Sequence, residues 1–321
     1  MALDYIKKDA GDIFSFPSAY DDYRQTFDHD FSMSKGRNES VEVKLFAQTS
    51  NEFAIGLVIL RHIYRFRFIT YDQLYRLLKL SGIDDSEILN KILEKYIERR
   101  LINKFCLSEA PLSEIPDDAM LVYCMDHGAK FILQHFPCEE MEMISAWKTS
   151  DCMYSGSIVF KCLMTNEFYI SMYEVKGTDT AIFEPLADFM IGGRPVRLSG
   201  WLRLKSDKKT DHFLIETIRK SDLPLAWEKK VDTHLTPFIH GKNGISRYFN
   251  SDPKWIFVTD SQDSAMEIAD IFERMAVSID PTKNIKYRLV TSEELRKGLD
   301  RAIFYKYDGG MLKPVRSIFA K

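Results

Sequence analysis

Residues 57–107 read LVILRHIYRFRFITYDQLYRLLKLSGIDDSEILNKILEKYIERRLINKFCL, and their apolar residues recur at the spacing of helices. Phe53, Leu57, Leu60 and Ile63 fall on one face of a helix with 3.6 residues per turn. This pattern predicts a first amphipathic helix. A second helix is predicted from its start signal, because a Thr followed by Gln three residues later forms a capping box that satisfies two unpaired backbone groups.

That capping box is Thr70 with Gln73, and Gly82 is typical of the residue just after a helix end. Asp85 and its neighbours provide the N-cap of a third helix. The inner face of this third helix comprises Ile88, Leu89, Ile92, Leu93, Tyr96, Ile97 and Leu101. Two strands at 102–107 and 120–125 follow, joined by a Pro- and acid-rich loop, and a closing helix covers 127–136.

Helix, short strand, helix, helix, strand, loop, strand is the order of a winged helix. We therefore predict a winged-helix DNA-binding domain over residues 50–137. The second helix of a helix-turn-helix enters the major groove, so the outward side of the third helix is the expected contact. Asn90 is a candidate for reading adenine, and Lys91 and Lys95 for contacting phosphate or guanine.

The predicted DNA-binding residues are Thr70, Tyr71, Arg76, Ser86, Asn90, Lys91, Lys95 and Arg99. Glu87, Glu94 and Glu98 share the exposed face and subtract from the positive charge that phosphate contact requires. A solvated face with helix-stabilising charge pairs, or a surface for another protein, therefore stays open as an alternative.

The length of 321 residues favours two domains, and a formal charge of −3 argues against a protein that coats DNA non-specifically. No apolar run is long enough to span a membrane, and the N-terminus lacks a signal-peptide pattern, so we expect a cytoplasmic protein. The five scattered cysteines favour reduced, buried thiols, and we expect neither a metal nor a cofactor. Aromatic clusters within an N-terminal arm, residues 1–49, make a second copy of the chain a candidate partner. The stretch 41–46 is expected to form a short strand.

The second half alternates strands with helices after an initial meander. A helical pattern over 156–173 precedes strands near Glu184, at 196–205 and at 212–219; an amphipathic helix from Leu225 and a buried strand at 255–258 follow. This order predicts a mixed sheet covered by helices. We expect a connector at 138–150 and an α/β domain at 151–321.

The stretch Leu57–Leu107 resembles the winged helix of the replication-relaxation proteins of plasmids and integrative elements, and the pattern agrees over roughly Phe53–Val258. The resemblance implies that the second domain is similar to the PD-(D/E)xK nucleases. The fold class is then α/β (α+β), with an N-terminal winged helix followed by a mixed-sheet restriction-endonuclease-like domain.

Nucleases of that fold need an acidic residue on one strand and an acid-x-Lys on the next, so that two carboxylates hold Mg²⁺ beside a Lys. Here Ser199 occupies the first position, and Glu216 is followed by Ile218 where the Lys is required. Lys220 is expected on the same face of the extended strand, about 13 Å away. An active site would need Glu184 as a second ligand and Lys229 or Lys230 from the next helix.

These observations favour a DNA-binding protein without enzymatic activity, with double-stranded DNA as its partner. The resemblance implies a role in replication, mobilisation or transcription control of a mobile element. Two alternatives remain: a Mg²⁺-dependent nuclease with a rearranged site at Glu184, Glu216 and Lys220, and a winged helix that binds proteins. The chain contains no GxSxG, HExxH or P-loop motif.

Overall fold

A computed structural model describes residues 24–31, 43–44, 46–47, 50–108, 120–137, 147–177, 180–191, 193–205, 210–236, 249, 253–282 and 285–320. The chain divides into two compact units, Met1–Leu163 and Met164–Lys321. The division falls inside the helix Gly156–Lys176. Among the helices within these ranges, none combines the length and the hydropathy that crossing a bilayer requires.

From α1 onwards, the elements of the first unit follow the order predicted from the sequence. They are β1 (Arg24–Phe27), α1 (Ser50–Phe66), β2 (Ile69–Thr70), α2 (Tyr71–Leu80), α3 (Ser86–Glu98), β3 (Ile102–Ser108), β4 (Leu121–Met125) and α4 (His127–His135). The predicted start signals are confirmed. The Thr70 hydroxyl accepts from the Gln73 N–H at 3.3 Å, and the Asp85 carboxylate accepts from the N–H groups of Glu87 and Ile88 at 3.0 Å each.

Four strands of this unit form an antiparallel sheet in the order β1-β3-β4-β2. Strand β1, from the predicted N-terminal arm, pairs with β3 so that Phe27 lies opposite Phe105. The expected strand at 41–46 is wrong, because residues 43–44 and 46–47 are helical. Phe46 is buried there against Phe53 and Tyr96, so its apolar side chain packs on helices and not on a sheet.

The second unit is built on a mixed sheet, as predicted, and this sheet has seven strands. Its elements are α5 (Gly156–Lys176, which begins in the first unit), β5 (Ala181–Pro185), β6 (Asp188–Ile191), β7 (Arg194–Arg197), β8 (Gly200–Lys205), β9 (Thr210–Ile218), α6 (Leu225–Lys230), β10 (Lys254–Thr259), α7 (Gln262–Ile279), β11 (Tyr287–Thr291), α8 (Ser292–Arg296), β12 (Ile303–Asp308) and β13 (Met311–Arg316). The sheet order is β13-β12-β11-β10-β9-β8-β5.

Strands β9, β10 and β11 run parallel, and the flanking strands are antiparallel. Helices cover both faces of the sheet. On one face, Trp227 of α6 and Phe272 of α7 pack on Phe257. On the other face, Thr165 of α5 hydrogen-bonds to Thr217 at 2.7 Å. Because side chains alternate along a strand, Glu216 lies on the α6 face.

Candidate nucleic-acid interface and the Glu216 cluster

Helix α3 buries its apolar side and exposes its polar side within the first unit. Leu89, Ile92, Leu93 and Tyr96 are buried. The exposed residues are Ser86, Glu87, Asn90, Lys91, Glu94 and Glu98. The helix therefore meets the geometric requirement for contact with a groove, since no other described part of its unit covers its outward side.

Glu52, on the first turn of α1, holds two of the predicted contact residues. Its carboxylate accepts a hydrogen bond from each of the Lys91 and Lys95 ammonium groups at 2.8 Å. These two hydrogen bonds, with that of Lys91 the larger, lower the pKa of Glu52 to about 2. Lys91 remains 72% exposed and Lys95 32% exposed, so both can still be reached from solvent. A phosphate would have to compete with Glu52 for them.

The other predicted contact residues, on α2 and at the ends of β2 and α3, occupy different environments. Thr70 is only 6% exposed and its hydroxyl caps the helix, so its prediction as a DNA contact is corrected: the capping role places it inside the unit. Tyr71 donates from its hydroxyl to the Ser86 carbonyl at 3.3 Å, which joins α2 to the start of α3. The guanidinium group of Arg76 lies 3.6 Å from the carboxylate of Asp72, one helical turn earlier. Arg99, at the end of α3, is half-buried and serves as its C-cap residue.

In the second unit, Glu216 is the centre of a polar cluster beneath α6. It is 2% exposed, and its Oε1 accepts from the Ser199 hydroxyl at 3.0 Å and from Lys230 Nζ at 2.5 Å. Its Oε2 accepts from the Ser199 N–H at 3.2 Å, and the Ser199 hydroxyl accepts from the Thr217 N–H at 3.1 Å. Ser199 therefore supplies two hydrogen-bond donors to Glu216, its backbone N–H and its hydroxyl.

Lys230 reaches Glu216 from the last residue of α6, where the helix continues as a π-helix over Val231–Leu235. A π-helical segment is rare and occurs mostly as a single turn within an α-helix. The side chain of Lys230 is 28% exposed and that of Glu216 is 3% exposed, so the lysine end of the ion pair reaches solvent. The structure therefore supplies a Lys at Glu216 from the next helix, one of the two sources that the sequence suggested.

Neither Lys220 nor Glu184 joins this cluster. Strand β9 ends at Ile218 and Lys220 begins a 3₁₀ turn, so its predicted position on an extended strand is wrong. Its backbone N–H donates to the Asp260 carboxylate at 3.0 Å. Glu184 is exposed on β5. It pairs with Trp201 on β8, which in turn pairs with Leu214 on β9. The strand spacing places it about 12 Å from Glu216 between Cα atoms.

The arrangement around Glu216 is that of a buried carboxylate already satisfied by donors. Three hydrogen bonds, one of them from the Lys230 cation, occupy the oxygens that a metal ion would use. Across the ranges that the structure describes, no group of three or more His, Cys, Asp and Glu side chains could hold a metal ion. As it stands, the cluster anchors α6 and the 199–200 segment to β9.

No protein-family model and no curated protein matches the chain. Among solved structures, the restriction endonuclease FokI is similar over 76% of this chain, with 13% sequence identity and a TM-score of 0.28. The similar region spans 43% of the FokI chain.

Proposed function

We propose that the protein binds double-stranded DNA without acting on it chemically, and that residues 50–137 serve as a winged helix. The observation that carries the proposal is the exposed polar side of α3, with Asn90 and Lys91 exposed at its centre. In this proposal α3 enters the major groove, Asn90 reads adenine, and Lys91 and Lys95 contact phosphate or guanine. The wing tip at residues 109–119 lies outside the described residues.

Glu52 sets the strength of this contact. In free protein it neutralises part of the charge of Lys91 and Lys95. On DNA, phosphate oxygens replace one or both of these hydrogen bonds. Binding then gains less from electrostatics than two unpaired lysines would provide, which leaves more of the affinity to contacts with base edges.

The biological role proposed is replication, mobilisation or transcription control of a plasmid or another mobile element, in the cytoplasm. This part rests on the sequence resemblance of Leu57–Leu107 to the replication-relaxation proteins. The second unit, with Ser199 in place of an acid, would then be a degenerate PD-(D/E)xK-like domain that serves as a platform for DNA, for another protein or for a second copy of the chain.

The test is binding of random duplex DNA, followed by fluorescence anisotropy over a salt series from about 50 to 200 mM. We expect affinity that falls as salt rises, and a loss of about tenfold or more in the variant Asn90→Ala/Lys91→Gln. Lys286→Gln, an exposed lysine of the second unit, is the charge-matched control and should bind like wild type. Absence of binding even at low salt would support the protein-binding alternative instead.

A second candidate, a Mg²⁺-dependent nuclease, is favoured by one observation: Lys230 Nζ lies 2.5 Å from Glu216. A carboxylate beside a lysine is part of the constellation that metal-dependent nucleases use. Nicking of supercoiled plasmid with Mg²⁺ or Mn²⁺ tests it. Activity that Glu216→Ala abolishes and Glu267→Ala, an exposed control on α7, retains would establish the nuclease and refute a non-catalytic role.

A further inference from the structure

The second unit contains a cavity of 560 Å³ at the end of the sheet remote from Ser199 and Glu216. It lies between the end of α5, the end of β8 and the starts of β9 and β10. Phe213 lines it, and in strand alternation Phe213 faces away from Glu216. The cavity is therefore separate from the Glu216 cluster.

Three lysines from three different elements line this cavity: Lys176 at the end of α5, Lys205 at the end of β8 and Lys254 at the start of β10. Lys254 lies 3.2 Å from Asp211 and over the Phe213 ring at 5.3 Å. Within the described ranges, Lys176 and Lys205 form no ion pair. With three lysines and one aspartate, the lining of the cavity has a net charge of two positive units. The electrostatic potential inside the cavity therefore attracts anions.

The remainder of the lining is largely apolar. Val175, Leu204, Phe213 and Ile318 contribute hydrocarbon, and Ile318 is 41% exposed at the rim. Burial of this isoleucine side chain beneath a ligand would be favourable, because it removes apolar surface from water. An apolar wall with a few charged groups at defined positions, in a volume of about 300–1,000 Å³, is the usual composition of a small-molecule site.

We propose that this cavity binds an amphiphilic organic anion. Its acidic group would lie between Lys176 and Lys205, and its apolar body would pack on Val175, Leu204 and Ile318. A phosphate monoester and a carboxylate both satisfy this chemistry, because an ammonium group binds either anion as a point charge. The site requires no metal and is independent of DNA binding by α3.

The proposal is tested on the full chain by isothermal titration calorimetry with octyl phosphate, octanoate, octylamine and inorganic phosphate. We expect octyl phosphate or octanoate to bind, the tighter one revealing the preferred acid. Octylamine should not bind, because the lysines repel it. Inorganic phosphate should bind about tenfold or more weakly than octyl phosphate, because it lacks the apolar body.

The variant Lys176→Gln/Lys205→Gln should weaken binding of the octyl anion by about tenfold or more. The matched control Lys286→Gln/Lys306→Gln removes the same charge from exposed positions of the same unit and should leave binding unchanged. Ile318→Glu, at the rim, should also weaken binding. Because Ile318 is 41% exposed, we expect this variant to fold like wild type. Binding of neither anion to wild type, or equal binding to the wild-type and double-lysine proteins, would overturn the proposal.

Discussion

At the scale of single residues, the pairing of Glu52 with Lys91 and Lys95 controls the candidate interface. Periodicity places both lysines on the outward side of α3, so the sequence predicts them as contacts. It does not reveal Glu52 as their partner, because that residue lies on another helix, 39 and 43 positions away. A contact between helices depends on their packing, which no local pattern encodes.

Glu52→Gln should therefore tighten DNA binding, since it removes a negative charge and releases both lysines. We expect affinity to rise by about threefold to tenfold at low salt, and the slope of log K against log salt to steepen by about one to two units. Fluorescence anisotropy over the salt series measures both. Glu98→Gln removes the same charge from an exposed position of α3 without releasing either lysine, and should have the smaller effect. Equal effects of the two variants would contradict the role assigned to Glu52.

Ser199 offers a second test at this scale. Its hydroxyl donates to Glu216 and accepts from the Thr217 N–H, so Ser199→Ala leaves a buried carboxylate and a buried N–H each short of one partner. We expect the free energy of unfolding to fall by about 1–3 kcal/mol, measured by urea denaturation. Ser278→Ala, at an exposed position on α7, should change it by less than about 0.5 kcal/mol. An equally stable Ser199→Ala protein would show that this cluster does not anchor the second unit.

At the scale of elements, the sequence predicts the helices of the first unit well, because caps and apolar periodicity are local signals. It does not predict β1, which pairs with a strand more than 75 residues away. The position of Lys220 is not predictable for a related reason. In the turn after β9, the Lys220 N–H donates to Asp260, which follows the neighbouring parallel strand β10. Gly309 and Gly310 form a turn with positive φ angles between β12 and β13, which is the role that adjacent glycines usually have.

The segment after β1 is attached to the first unit by His29. Its Nε2 lies 2.6 Å from an oxygen of Asp126, which is fully buried at the N-cap of α4. Burial alone would lower the pKa of His29, but its hydrogen bonds to Asp126 and Asp28 outweigh burial and raise the pKa above 6.5. The folded protein therefore binds a proton at His29 more tightly than the unfolded chain does.

A raised pKa in the folded state stabilises the protein fully below pH 6.5, and this stabilisation is lost as pH rises through the raised value. We expect the free energy of unfolding to decline over that window in wild type. His29→Gln should remove the decline, whereas His135→Gln should retain it. Urea denaturation at a series of pH values measures this. An unchanged pH profile in His29→Gln would show that the His29–Asp126 contact does not hold this segment.

At the scale of the whole molecule, the mixed sheet of the second unit is predictable because buried strands such as Trp255–Val258 are continuous apolar runs. Its polar sites are harder to predict. The sequence leaves Lys229 and Lys230 as equivalent sources of a lysine beside Glu216; in the folded chain Lys230 contacts Glu216, whereas Lys229 is exposed. The lysine-lined cavity has no sequence signature, because its three lysines come from elements that meet only in the folded sheet.

The molecule as a whole is proposed to contact DNA through α3, and a photo-crosslink tests this contact most directly. The photoreactive residue p-benzoylphenylalanine is placed at position 90 in one protein and at position 286 in another, and each is irradiated with labelled duplex DNA. We predict a covalent protein–DNA product from position 90 and none from position 286. Crosslinking from position 286 with none from position 90 would contradict the account, because DNA would then be bound through a surface other than α3.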